Sequence, residues 1–135
     1  MIWPQLIRDL KITSWNVNGV FTKLEKECVM RFLHNFDVIC LNEVKTSLFV
    51  SLPGFVTYRS SIAGSGDRGG TVVCIKNSLS HLVLTVDVSI GDQVWLQFKN
   101  MLGILFGFCY MAPSNSLYFS QSSLASIQEK SAQTI

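Results

Sequence analysis

Two short stretches of this sequence each carry an apolar run that ends in a side chain able to bind a metal or a phosphate. They are Thr13-Ser14-Trp15-Asn16-Val17-Asn18-Gly19 and Val38-Ile39-Cys40-Leu41-Asn42-Glu43-Val44-Lys45. A buried strand that delivers one ligand-capable side chain to its rim is how α/β sheets build sites at strand ends. An amide such as that of Asn16 beside a carboxylate such as that of Glu43 suits a hard divalent cation and a phosphate. Mg²⁺ selects carboxylate oxygens and keeps several waters, and one or two carboxylates plus phosphate oxygens commonly hold it. Glu43 closes an apolar run, where a carboxylate is costly to desolvate unless it meets a cation. Taken alone, Asn16 is a strand-terminal amide, and Asn18-Gly19 reads as the turn that breaks the strand.

The elements that must position these residues can be read from periodicity. Residues 11–17 form a first strand. Phe21, Leu24, Cys28, Phe32 and Phe36 then recur at three- and four-residue spacing, with Lys23, Glu25, Lys26, Glu27 and Arg31 between them, which predicts one amphipathic helix on a sheet. Val38-Ile39-Cys40-Leu41 is a continuous apolar run of the kind found in strands buried on both faces. Pro53-Gly54 marks a turn. The stretch Gly64-Ser65-Gly66-Asp67-Arg68-Gly69-Gly70 predicts a glycine-rich loop, and residues 71–76 the strand after it. No Gly-Lys-Ser/Thr follows that loop, so it is not a phosphate loop. Residues 82–88 and 93–99 alternate as two strands about a Gly91-Asp92 turn. Residues 101–111 predict a further buried strand, 118–130 a short helix, and 131–135 an unstructured tail. Trp15 and Trp95 read as packing residues.

Composition narrows the class. The chain has 135 residues, 48% hydrophobic and 15% charged, with a mean hydropathy of +0.33. A small domain has a large surface to keep polar, so this balance fits one unit cut from something larger. A net charge of +2 allows nucleic acid without calling for it. Cys28, Cys40, Cys74 and Cys109 sit in apolar segments without metal-ligand spacing, which predicts buried free thiols in a reducing, intracellular compartment. His34 and His81 carry no such spacing either. The N-terminus lacks a basic region followed by an apolar core, so no signal peptide is expected. The apolar run at 101–112 is shorter than the roughly 20 residues that span a bilayer, and no membrane partner is expected.

Ser14-Trp15-Asn16-Val17-Asn18-Gly19, then Leu41-Asn42-Glu43-Val44-Lys45, a Gly-Gly-led strand, and a strand ending Tyr110-Met111-Ala112-Pro113 occur in that order. Together they resemble the exonuclease-endonuclease-phosphatase (DNase I-like) superfamily, nearest to abasic-site-type endonucleases and retrotransposon endonuclease domains. The resemblance runs over residues 11–115. It implies an α/β fold, a four-layered sandwich of two mainly antiparallel sheets face to face with helices outside. It also implies a Mg²⁺- or Mn²⁺-dependent phosphodiesterase acting on DNA, and hence the nucleus in a eukaryote. Asn16 matches the asparagine that helps place the metal and the scissile phosphate, and Glu43 the metal-ligating glutamate. Lys45 matches a basic residue that often follows it, and Tyr110 the tyrosine that contacts the phosphate. Read without the family, Lys45 is a solvated charge and Tyr110 a core aromatic with its hydroxyl at the surface.

The sequence also departs from the pattern. The family's Gly-Asp-x-Asn segment, second aspartate and Ser-Asp-His segment do not follow Tyr110, and Glu129 is the one carboxylate side chain after it. General acid–base assistance worth about 10²–10⁴-fold in rate is thereby missing. The expectation is a truncated domain over residues 11–130, with the C-terminal half of the sandwich missing, weak metal affinity and impaired or no activity. The alternative is a non-catalytic remnant of a mobile element that binds nucleic acid or protein. Strands 72–75 and 104–108 are expected to lack a facing layer and to leave edges open.

Overall fold

The computed structural model describes residues 10–45, 50–60, 70–111 and 121–132. Strand β1 (Ile12–Asn16) leads into two short helices, α1 (Val20–Leu24) and α2 (Glu27–Leu33). Strands β2 (Val38–Asn42), β3 (Phe55–Arg59) and β4 (Thr71–Lys76) follow, and a 3₁₀ turn over Asn77–Leu82 leads out of β4. Then come β5 (Val83–Asp87), β6 (Gln93–Phe98), β7 (Phe106–Cys109) and helix α3 (Gln121–Ser131). The first four strands form one sheet in the order β1-β2-β4-β3, and the last three a second in the order β5-β6-β7. The β1–β2 pair is parallel and every other pair antiparallel.

The continuous apolar strands lie where both faces are covered. Ile39, Leu41, Val72 and Cys74 face a cluster with Val17, Val20 and Leu33 on the helical side. Val38, Cys40, Val73 and Ile75 face Val94, Leu96, Phe98 and Met101 of the second sheet. Side chains alternate along a strand, so only a strand with a layer on each side can be apolar at every position. Full burial of one such aliphatic side chain contributes about 1.5–3 kcal/mol, and this doubly covered ladder anchors the molecule. The expectation that residues 72–75 lack a facing layer is therefore corrected: Val72, Val73, Cys74 and Ile75 are all fully buried.

Three other expectations change. The single amphipathic helix is two helices, because Lys26 is extended (φ −84°, ψ 120°) and resets the helical phase. The buried stripe then falls on Val20 and Leu33, with Leu24, Val29, Met30 and Phe36 packed beside them. Phe32 turns outward at 59% exposure, and Cys28 is exposed rather than buried. The buried strand expected over 101–111 shortens to β7, because a turn with Gly103 at φ +90° follows the buried Met101. Leu102 and Ile104 are exposed, while Phe106 and Phe108 pack on the inter-sheet core. Strand β3 was not foreseen, although Phe55-Val56-Thr57-Tyr58 after Pro53-Gly54 has strand-forming residue types.

All four cysteines are free, with Cys40 and Cys74 buried. Burial pushes the thiols of Cys40, Cys74 and Cys109 up to about 11. Most of the glycine-rich loop and residues 112–120 lie outside the described residues, as do 133–135 of the expected tail. Ser131, the first residue of that tail, is helical. No described helix is long and apolar enough to cross a membrane.

Candidate active site

The ends of β1 and β2, the starts of β4 and β6, and the end of β7 share one rim of the two sheets. Parallel pairing puts Asn16 opposite Asn42 at the ends of β1 and β2. Antiparallel pairing sets Thr71 opposite Asn42, and Gln93 opposite Cys109 in the second sheet. Asn16, at the end of β1, is exposed, while Glu43, half-buried, and Lys45, exposed, stand on the loop that leaves β2, beside the loop that leaves β1. Those loops are laced together, with the Val17, Gly19 and Val20 N–H groups donating to the carbonyls of Asn42, Glu43 and Val44 at 2.9, 2.9 and 3.1 Å.

Side chains complete the lacing. The Asn18 N–H donates to Asn16 Oδ1 at 3.3 Å, a local turn that fixes the oxygen end of the Asn16 amide. The Lys45 ammonium donates to Asn18 Oδ1, tying the first loop to the second. Below the surface, Thr71 Oγ1 donates to Asn42 Oδ1 at 2.9 Å in a buried contact. The polar end of β2 is thereby satisfied at the point where its apolar run stops.

Backbone conformation singles out the same place. The four non-glycine residues with positive φ among the described residues are Asn18 (47°), Glu43 (54°), Lys45 (54°) and Asp92 (58°), and all lie at this rim. Asn and Asp enter the left-handed region readily, whereas Glu and Lys do so seldom. Such residues cost about 1–3 kcal/mol each, persist only where the surroundings over-determine them, and cluster at functional sites. Here Val44, between the two strained residues, is buried at 1% exposure, and its N–H donates to the Gly70 carbonyl at 3.3 Å.

Tyr110 comes to this rim from the second sheet. Burial, followed by the nearby charges of Glu43 and then Asp92, raises its phenol above the ordinary tyrosine value. Like any tyrosine, it is protonated and a hydrogen-bond donor at neutral pH. Asn16, Glu43, Lys45 and Tyr110 thus lie along one edge. His34 does not belong to it. Its ring nitrogens lie 2.7 Å from the Met30 carbonyl and 2.9 Å from the Pro53 carbonyl, near the start of β3 at the opposite end of the sheet. Arg68 lies outside the described residues.

Sequence reasoning missed Asp92, taken only as half of a turn. It is 5% exposed, its Oδ1 accepts the Gly70 N–H at 2.9 Å, and its carbonyl accepts the Tyr110 N–H at 2.9 Å. Its partners Gly70 and Tyr110 are distant in sequence, so no local signal marked it.

The donor set was weighed for a divalent cation. Among the described residues no three His, Cys, Asp or Glu side chains gather into a metal-holding group. The Glu43 carboxylate with the Asn16 amide fits an ion that keeps most of its waters, which is the habit of Mg²⁺. It does not fit an ion that needs a dedicated protein cage.

A model of the Endonuclease/Exonuclease/phosphatase family matches residues 13–105. Over 80 residues the chain is 44% identical to a probable RNA-directed DNA polymerase from transposon X-element of Drosophila melanogaster, covering 56% of this chain and 9% of that protein. It is 32% identical over 86 residues to the RNA-directed DNA polymerase from mobile element jockey of the same organism, covering 62% of this chain and 9% of that one. The chain thus spans less than a tenth of each of these relatives. A crystal structure of the AP endonuclease LMAP from Leishmania major superposes with a TM-score of 0.63 at 23% identity, covering 89% of this chain and 47% of that one. That likeness shows the fold to be of the DNase I-like α/β type. By the extent of the family match, the chain belongs to the Endonuclease/Exonuclease/phosphatase family.

Proposed function

We propose that this rim is one wall of a divalent-metal-dependent phosphodiesterase site acting on DNA, of the retrotransposon-endonuclease kind. The observation that carries the reading is the meeting of Asn16, Glu43 and Tyr110, drawn from both sheets, at an edge where the backbone holds Glu43 and Lys45 in the left-handed region. Glu43 and Asn16 would hold Mg²⁺ or Mn²⁺. When bound, such an ion polarises a phosphoryl oxygen and offsets the charge that develops during in-line displacement.

The chain's own residues do the rest of the positioning. With its oxygen held by the Asn18 N–H, the Asn16 amide offers its NH₂ end to a phosphate oxygen. Tyr110, a protonated phenol at neutral pH, donates a second hydrogen bond to the same group. Donors aimed at developing charge in a partly dehydrated site are worth more than in water. Lys45 supplies a charge for the DNA backbone, a contact expected to weaken as salt rises. The repeated match to RNA-directed DNA polymerases of mobile elements supports DNA as the substrate class.

The 135-residue polypeptide by itself is proposed to hold the ion weakly and to turn over negligibly, because after Tyr110 it carries no aspartate or histidine and a single carboxylate side chain, Glu129. A second reading, a non-catalytic remnant that binds nucleic acid or protein, is favoured by the sparse donor set among the described residues. A plasmid-nicking assay with Mg²⁺ or Mn²⁺ tests this. No conversion of supercoiled to nicked DNA above that of Glu43→Gln is expected, and Glu43-dependent nicking would overturn the proposed impairment.

A further inference from the structure

We propose that Asp92 is a positioning residue that holds the Glu43 loop of the first sheet against the Tyr110 strand of the second. The inference rests on the reading of Glu43 and Tyr110 as one site and adds a residue to it. Asp92 lies directly before β6, in the second sheet, yet its partners come from both sheets. Its carboxylate Oδ1 accepts the Gly70 N–H at 2.9 Å, and the Gly70 carbonyl accepts the Val44 N–H at 3.3 Å, next to Glu43. Its main-chain carbonyl accepts the Tyr110 N–H at 2.9 Å and lies 3.3 Å from Thr71 Oγ1. Thr71 in turn donates to Asn42 Oδ1 at 2.9 Å, one residue from Glu43 on its other side.

One hydrogen-bonded path therefore runs from Asp92 through Gly70 to Val44 beside Glu43, a close contact with Thr71 lies next to it, and one path runs to Tyr110. The covalent connections between these parts are long, with 22 residues separating Gly70 from Asp92. Gly70 is packed closely by its neighbours at this rim. A Cβ on Gly70 would stand 2.8 Å from Val44 Cγ2 and 3.2 Å from Arg59 Nη2. A glycine N–H presented from such a close approach needs an acceptor, and Asp92, at 5% exposure and φ +58°, provides it. Aspartate tolerates this left-handed backbone and, unlike glycine, brings a carboxylate to it.

The test compares Asp92→Asn, which keeps an oxygen acceptor for Gly70, with Asp92→Gly, which relaxes the backbone and removes the acceptor. Mn²⁺ affinity is read by water-proton relaxation, with Glu43→Gln as the blank. Supporting partners of metal sites typically change affinity by about 10–100-fold. A loss in that range is expected for Asp92→Gly, with Asp92→Asn remaining within about twofold of the parent on the same scale. Amide hydrogen exchange supplies a metal-free reading on the same proteins. Gly70, Val44 and Tyr110 should lose protection together in Asp92→Gly and keep it in Asp92→Asn, while Val86 and Leu96 of the β5–β6 ladder stay protected in both. Parent-like Mn²⁺ affinity and protection in Asp92→Gly, or equal losses in both variants, would overturn the proposal. Should the parent chain show no Glu43-dependent Mn²⁺ binding, the metal-site reading fails and the exchange pattern alone decides the role of Asp92. Should Asp92→Gly not fold, retention of affinity and protection by Asp92→Asn supports the proposal and their loss overturns it.

Discussion

The two ends of the larger sheet are each closed by an aspartate, and they are built differently. At the end away from the candidate site, Asp37 Oδ2 accepts the Lys11 backbone N–H at 2.9 Å, and Oδ1 faces the Lys76 ammonium at 3.6 Å. The Lys76 N–H returns to the Asp37 carbonyl at 2.9 Å. No non-glycine residue described there has positive φ. At the other end Asp92 is itself left-handed, as are Asn18, Glu43 and Lys45. One end uses relaxed backbone and partly exposed charges to finish its strands. The other carries strain that its hydrogen bonds must hold, which is the pattern expected where geometry serves a ligand rather than stability.

The contrast can be broken most forcefully at its glycines. Gly70 and Gly54 both have positive φ, so an alanine is strained at either. Only at Gly70 does the added Cβ collide, at 2.8 Å from Val44, whereas at Gly54 the nearest atom is His34 Nε2 at an ordinary 3.4 Å. Gly70→Ala is expected to lose about 1–3 kcal/mol from the forced shift in addition to the backbone strain. Gly54→Ala should lose only about 1 kcal/mol. Urea unfolding of both variants checks the difference, and equal losses would mean that the rim can relax.

Asp37→Ala sharpens the comparison from the other side. Loss of one charge-assisted hydrogen bond and one half-exposed ion pair should cost about 1 kcal/mol, seen as a lower urea midpoint. Mn²⁺ affinity should not change, because nothing in this cluster reaches the rim. A parallel fall in Mn²⁺ affinity would show that the two ends are coupled.

The smallest effect is expected in the second sheet. The Ser89 hydroxyl, the Ser89 backbone N–H and then Lys130 hold the Asp87 carboxyl down at about 2, below the ordinary 3.8. A depressed carboxylate stabilises the fold above its unfolded value, so this contribution is present above about 3.8 and is lost as pH falls through about 2. Asp87 is more than a third exposed, so solvent screening leaves well under about 1 kcal/mol. Melting curves of the parent and Asp87→Asn should differ slightly at pH 7, with the gap closing at acid pH.

Legibility in the sequence followed the range of the interactions. Strand β4 could be read to its ends, because Val72-Val73-Cys74-Ile75 is a continuous apolar run that starts one residue after glycines and ends at Lys76. Asn16 and Glu43 were legible because each closes its own strand, and pairing then brings the strand ends together. The helical stripe was not, because one extended residue at Lys26 shifts the phase, and side-chain spacing carries no signal for that. Asp92 was hidden for a different reason. A Gly-Asp pair between two strands reads as a turn whatever it touches, and its partner Gly70 belongs to another sheet. The tie from Lys45 to Asn18 was likewise invisible, since it spans 27 residues and depends on two left-handed backbones.

The most direct test of the rim as a metal-binding wall is Mn²⁺ binding to the 135-residue chain, measured by water-proton relaxation for the parent and for Glu43→Gln. The result expected is weak, saturable binding by the parent that Glu43→Gln abolishes. Equal binding by the two proteins, or none by either, would contradict it.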